Sequence, residues 1–180
     1  MKEIELPYII FRTKSGLYGI DAYTALRVEK PERVATLIRK FNRMPEVTEN
    51  HEFALIKKNE VEEFLYSVLK YAKEKASSKM KERVSKMRRW GLFRLLGIPT
   101  GHSRHISEEE RLAKENREAL LALSILETIL KGNLEVLGYS SINVEVREDG
   151  IYVNGELDRV YTELIKVDMR AAMALLELAR

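Results

Sequence analysis

The stretch INVEVREDGIYV, residues 142–153, decides the fold. Ile142, Val144 and Val146 alternate with polar neighbours, which puts them on one face of a strand. Asp149-Gly150 supplies a tight turn with a position tolerant of positive φ, and Ile151, Tyr152 and Val153 begin the return strand. This is a hairpin with one buried face, and it needs a partner sheet.

The other end of the chain offers one. Residues 4–28 read as two strands around Lys14-Ser15-Gly16, with Ile4, Leu6, Ile9, Ile10 and Phe11 before the turn. Leu17, Tyr18, Ile20, Tyr23, Leu26 and Val28 follow it. Beyond Pro31, the spacing of Val34, Leu37, Ile38 and Phe41 predicts a short helix ended by Pro45. His51 to Lys57 is expected as another strand with Phe53, Leu55 and Ile56 packing inward, and a turn is expected near Gly138.

The middle is helical. Asn59 and Glu62 open a long helix whose stripe is Leu65, Leu69, Ala72, Ala76, Met80, Val84 and Met87, the period of a single buried face. The register breaks after Met87, so Trp90 to Leu96 reads as a separate amphipathic turn. GIPTGHSRH, residues 97–105, reads as a loop. Ser107 with Glu110 forms a capping box for a second helix, with Leu112, Asn116, Ala119, Leu123, Leu126 and Leu130 on its stripe and Gly132 as its stop. Its second half is apolar nearly all round, predicting deep burial of Leu120, Leu123, Leu126 and Leu130. Leu157, Val160, Tyr161, Leu164, Ala172, Leu175 and Ala179 predict a closing helix with a break at 166–168.

These parts assemble into one α+β domain, residues 1–180: antiparallel hairpins from the N- and C-terminal parts share a sheet, helices pack on it, and a long helical hairpin, 60–131, is inserted as an arm. Helices of about 45 and 37 Å joined by a short loop must run antiparallel. The apolar end of the second helix marks the base of the arm, and residues 79–105 its tip.

Composition narrows the function classes. With no cysteine among 180 residues, disulfides and thiolate metal sites are excluded. Glutamine is absent and charged residues make up 33%, the profile of a heat-adapted cytoplasmic protein. MKEIELPYII lacks the basic start of a signal peptide, and the longest nearly apolar run, residues 119–130, is too short to cross a bilayer, so no stable membrane insertion is expected.

Charge is distributed unevenly. Residues 70–104 hold eleven Lys or Arg against Glu74 and Glu82, a local +9 within a total of +3, so the remainder carries −6. A solvated helix usually interleaves signs four residues apart, and this one does not. Lys79, Lys81, Lys86, Arg88, Arg89, Arg94 and Arg104 form a candidate phosphate-binding surface, with Trp90 and Phe93 placed to stack on bases. The expected partner is therefore nucleic acid, DNA or RNA, held without catalysis or cofactor.

Two alternatives compete. The stripes on both arm helices would equally serve a homo-oligomer. Glu145, Asp158, Glu163 and Lys166 hold the residue types of a Mg²⁺-dependent nuclease, yet the Glu163–Lys166 spacing is that of an ordinary helical ion pair. His102, His105 and Glu108 have ligand spacing without a fourth ligand, so no metal site is expected. RRWGLFRLLG also resembles an interfacial segment, but its apolar part spans only about two turns. No serine, cysteine or dinucleotide-binding motif is present.

Overall fold

The computed structural model describes the backbone of residues 2–95 and 102–179, and the side chains of 3–78, 81, 82, 110, 111 and 113–179. Its fold is α+β. A six-stranded antiparallel sheet is built from β1 (Lys2–Thr13), β2 (Gly16–Asp21), β3 (Ile38–Phe41), β4 (Glu135–Arg147), β5 (Gly150–Val153) and β6 (Glu156–Leu157), in the order β3-β2-β1-β4-β5-β6. Four α-helices accompany it: α1 (Val61–Leu95), α2 (His102–Ile129), α3 (Arg159–Val167) and α4 (Met169–Leu178).

The two terminal hairpins share this sheet as expected. Thr13 pairs with Gly16 across Lys14-Ser15, and the Thr13 hydroxyl accepts the Ser15 amide at 3.2 Å. Arg147 pairs with Gly150 across the second turn. The seam between the hairpins is β1 against β4, from Lys2↔Val146 to Arg12↔Glu135. Along β1, Leu6 to Phe11 are buried without interruption, so this central strand is covered on both faces.

Local chemistry overrides the predicted pattern in several places. The second strand stops at Asp21 rather than running to Val28. The Asp21 carboxylate accepts the amides of Tyr23 at 2.9 Å and Thr24 at 2.8 Å, which turns the chain into a 3₁₀ segment, Thr24–Leu26. The helix predicted over Val34 to Phe41 is instead a 3₁₀ segment, Pro31–Leu37, followed by β3. Ile38 pairs with Ile20 and Phe41 with Leu17, so the open edge of β2 claims these backbone groups.

Residues 51–57 form no strand. The His51 carbonyl accepts the Ala54 amide in a turn, and the Leu55 and Ile56 amides both reach the Ala22 carbonyl. Only Ile56 is buried there, while Phe53 and Leu55 are exposed.

Gly138 lies inside β4, at a bulge where Ile10↔Gly138 is followed by Phe11↔Val136. Its φ is +147°, and a Cβ would meet the Thr48 carbonyl at 2.7 Å, so glycine is required for the backbone bridge from Thr48 to Tyr139. Helix α2 begins at His102, so residues 102–105 are helical and not loop; what joins it to α1 lies outside the described residues.

The helix pair is antiparallel, since the Tyr66 hydroxyl reaches the Leu130 carbonyl at 3.5 Å while Lys73 meets Glu127 at 3.4 Å. Leu65, Leu69, Ala72 and Ala76 are buried as the α1 stripe predicts, while Met80, Val84 and Met87 lie outside the described side chains. Among the described side chains of α2 the buried set is Ala119, Ala122, Leu126 and Ile129, with Leu130 buried just beyond its end. Leu123 is half-buried and Leu120 is 48% exposed, correcting the expected deep burial.

The closing helix is broken at Asp168. Asp158 caps α3 by accepting the Tyr161 amide at 2.8 Å, and Asp168 caps α4 by accepting that of Ala171 at 2.9 Å. Asp168 also accepts from Arg33 at 2.9 Å and from the Glu29 amide at 3.0 Å. Burial works to raise its carboxyl, but these donors hold it below the usual carboxylate range.

Candidate functional site

The expected nucleic-acid contacts lie on the arm. Lys79, Lys81, Lys86, Arg88, Arg89, Trp90, Phe93 and Arg94 all fall within α1, and Arg104 falls within α2. Continuous helix through residue 95 replaces the separate turn expected after Met87. Lys81 is exposed; the side chains of the other eight lie outside the described residues. Lys81 shares a shallow depression with Lys73, Glu74, Ser77 and Ser78 on α1. Lys73 in that depression is paired with Glu127 at 3.4 Å.

The acids considered for catalysis are each engaged elsewhere. Asp158 binds Arg39 and caps α3, Glu163 pairs with Lys166 at 2.8 Å, and Glu145 with Arg147 at 2.5 Å. Among the described residues no group of three His, Cys, Asp or Glu could hold a metal. His102, His105 and Glu108 lie outside the described side chains. No helix of the described residues is long and apolar enough to cross a membrane.

Two polar constellations escaped the sequence. The first runs through the centre of the fold. Arg39 on β3 donates from Nε to the Tyr8 hydroxyl at 3.0 Å, and Tyr8 and Tyr161 are 2.5 Å apart. Tyr161 donates to Asp21 Oδ2, also at 2.5 Å. Arg39 can only donate and the Asp21 carboxylate only accept, so the Tyr8 proton must point at the Tyr161 oxygen. A further guanidinium hydrogen bond joins Arg39 to Asp158, and Arg39 lies over the Tyr161 ring, 5.2 Å from its centroid.

Tyr8, Tyr161 and Asp21 are fully buried. Burial, then the charge of Asp21, pushes both phenols above the ordinary tyrosine range. Burial also raises the Asp21 carboxyl, against the Tyr161 hydroxyl and the amides of Tyr23 and Thr24. For Arg39 burial opposes the charge, yet Tyr8 and Asp158 hold it above its usual range. The two tyrosines therefore stay protonated, and a cation and an anion are joined through them.

The second constellation is an open cleft of about 420 Å³ between the Pro31–Leu37 segment, α2 and α3. Leu121, Ala122 and Ile125 form one wall, and Val160, Leu164 and Val167 the other. Glu32 and Glu118 also line it. Glu32 is 2% exposed, and its Oε1 is bound by Lys75 from α1. Oε2 of Glu32 and Oε2 of Glu118 are both closed off from solvent, and neither has a hydrogen-bond partner among the described residues. An unanswered buried oxygen costs about 1–3 kcal/mol, so two in one cleft call for an explanation. No motif could have announced this cleft, because Glu32 and Glu118 are distant in sequence and come to line it only through packing.

No family model, curated protein or solved structure matches this chain.

Proposed function

We propose that the protein binds nucleic acid, without catalysis, through the distal half of its helical arm. The observation that carries this reading is the length of α1. Among its described side chains the buried ones run from Val61 to Ala76, and the helix itself continues to Leu95. That continuation adds about 28 Å and holds seven Lys or Arg against Glu82 alone. A polyanion is the partner that such a distribution attracts, and a duplex or a single strand presents phosphates along a line as a helix presents its basic side chains.

The test is a salt titration. With four to six cations engaged, the logarithm of the affinity for duplex DNA should fall against the logarithm of salt with a slope of about −4 to −5. Arg88→Ala with Arg89→Ala should weaken binding to every sequence and flatten that slope by about two. Trp90→Ala should weaken single-strand binding selectively if the indole stacks on bases. Glu in place of Arg88 and Arg89 with binding and slope unchanged would defeat the proposal.

A second reading has its own support. Leu120 and Leu121 on α2 are 48% and 56% exposed, an apolar surface that a second copy of the arm would cover. A dimeric mass in solution that Leu120→Lys reduces to a monomer, with no retention on immobilised DNA, would favour assembly over nucleic-acid binding.

A further inference from the structure

Helix α4 is apolar on two opposite faces. Ala171, Ala174 and Leu175 are buried against the body of the fold. Met169, Met173 and Leu176 follow one another at steps of four and three on the other side, and they are 68%, 55% and 51% exposed. Apart from Arg170 and Glu177 the whole helix is apolar, the composition of a helix covered all round, yet only one side is covered. The exposed apolar surface extends past the helix. Val167 ends α3, Leu26 belongs to the Thr24–Leu26 segment that packs against α4, and each is 50% exposed. A continuous apolar stripe of this kind marks an interaction surface.

The charges beside the stripe indicate what covers it. Arg170 and Glu177 lie on the same flank, two turns apart and near opposite ends of the helix. One cation and one anion placed evenly about Met173 are complementary to their own reversed copy. Arg170 is exposed and has no acidic partner among the described residues. Glu177 receives Arg27 at 2.6 Å and Tyr23 at 3.4 Å on Oε2, which leaves Oε1 without a hydrogen bond from any described residue. We propose that this face of α4 is the interface of a homodimer, in which two copies of the helix pack antiparallel about a two-fold axis near Met173. That arrangement sets each Arg170 beside Glu177 of the other copy, whereas a parallel one would align like charges. Methionine side chains adapt readily to such a contact, and an isologous interface closes at two subunits. Helix α4 is only about 15 Å long, so the contact falls short of the roughly 1,200–2,000 Å² of a stable complex, and the dimer dissociates in the micromolar range. This surface is distinct from the exposed leucines of α2.

Sedimentation velocity at increasing protein concentration should show a monomer–dimer equilibrium. Met173→Glu, at an exposed position in the centre of the contact, should leave the protein monomeric throughout, while Leu120→Lys on the arm should leave the dimer unchanged. Arg170→Glu and Glu177→Arg should each weaken the dimer about tenfold, because each homodimer then holds two like-charge contacts. An equimolar mixture of these two variants has opposite charges at both contacts, and should form a heterodimer about as tight as the original. Glu177→Arg also loses its ion pair with Arg27, so recovery in the mixture cannot come from that pair. Circular dichroism confirms that each variant is folded. The proposal fails if the protein stays monomeric at every concentration, as it would if a different partner covers this face. It fails equally if the dimer survives Met173→Glu, if Leu120→Lys dissolves it, or if the mixture associates no better than its components.

Discussion

Helix α3 touches two polar groupings, contributing Tyr161 to one and lining the cleft of the other with Val160 and Leu164, and the two differ in how completely each is answered. In the centre, Arg39, Tyr8, Tyr161, Asp21 and Asp158 donate and accept in a closed sequence that ends in two backbone amides and a helix cap. At the flank, Glu32 and Glu118 each keep an oxygen that no described residue meets. A satisfied network specifies one arrangement of the core, because every alternative packing would strand a donor or a charge. A half-satisfied one costs stability and specifies the packing around it less tightly. Burial alone does not separate structure from site; the tally of partners does.

The difference should be largest under Tyr161→Phe. Removing that hydroxyl strands Asp21 Oδ2 and the Tyr8 proton together, and should cost about 3 kcal/mol in chemical denaturation. A cost below about 1 kcal/mol would show that the central network is as loosely answered as the cleft.

An intermediate effect is expected in alkali. Tyr8 and Tyr161 have folded-state values raised above the ordinary 10.0, so the folded state keeps protons that the unfolded chain releases. Their contribution is complete below pH 10 and is lost as pH rises through the raised values. Ultraviolet titration should find two of the eight tyrosines ionising only with unfolding. In Tyr8→Phe with Tyr161→Phe that slow fraction should vanish, and the alkaline loss of stability should become shallower.

Glu118→Gln should have the smallest effect. Removing a carboxylate oxygen that no described residue hydrogen-bonds should change stability by no more than about 0.5 kcal/mol, or raise it slightly. A loss comparable to that of Tyr161→Phe would mean that Glu118 has a structural partner after all, and would erase the distinction between the two groupings.

The sequence made the architecture legible where one period extends over many residues. The stripe from Leu65 to Ala76, the alternation of Ile142 and Val144, and the break at Asp168 all read correctly from spacing. It misled where a short run can satisfy two patterns. Ile38 and Phe41 fit a helix stripe and equally a strand edge, and only the unpaired backbone of β2 decides between them. Leu120 fits an apolar helix, but its exposure depends on which side α1 occupies. The basic arm was visible as composition, since charge accumulates along the chain. The tyrosine network and the cleft were invisible for the opposite reason: Tyr8 and Tyr161 meet across 153 residues, and no local rule links them.

The seam between β1 and β4 also has a consequence in time. Arg12 and Glu135, at one end of that seam, are 123 residues apart. A ribosome adding about 5–20 residues per second needs roughly 6–25 s to cover that interval. Throughout it the first hairpin waits with the apolar run from Leu6 to Phe11 open along one edge, while the arm, whose helices both precede β4 in the chain, is free to form. The nascent chain therefore carries a sticky strand before it has a sheet to bury it in, and β4 acts as the late closure that ends this exposure.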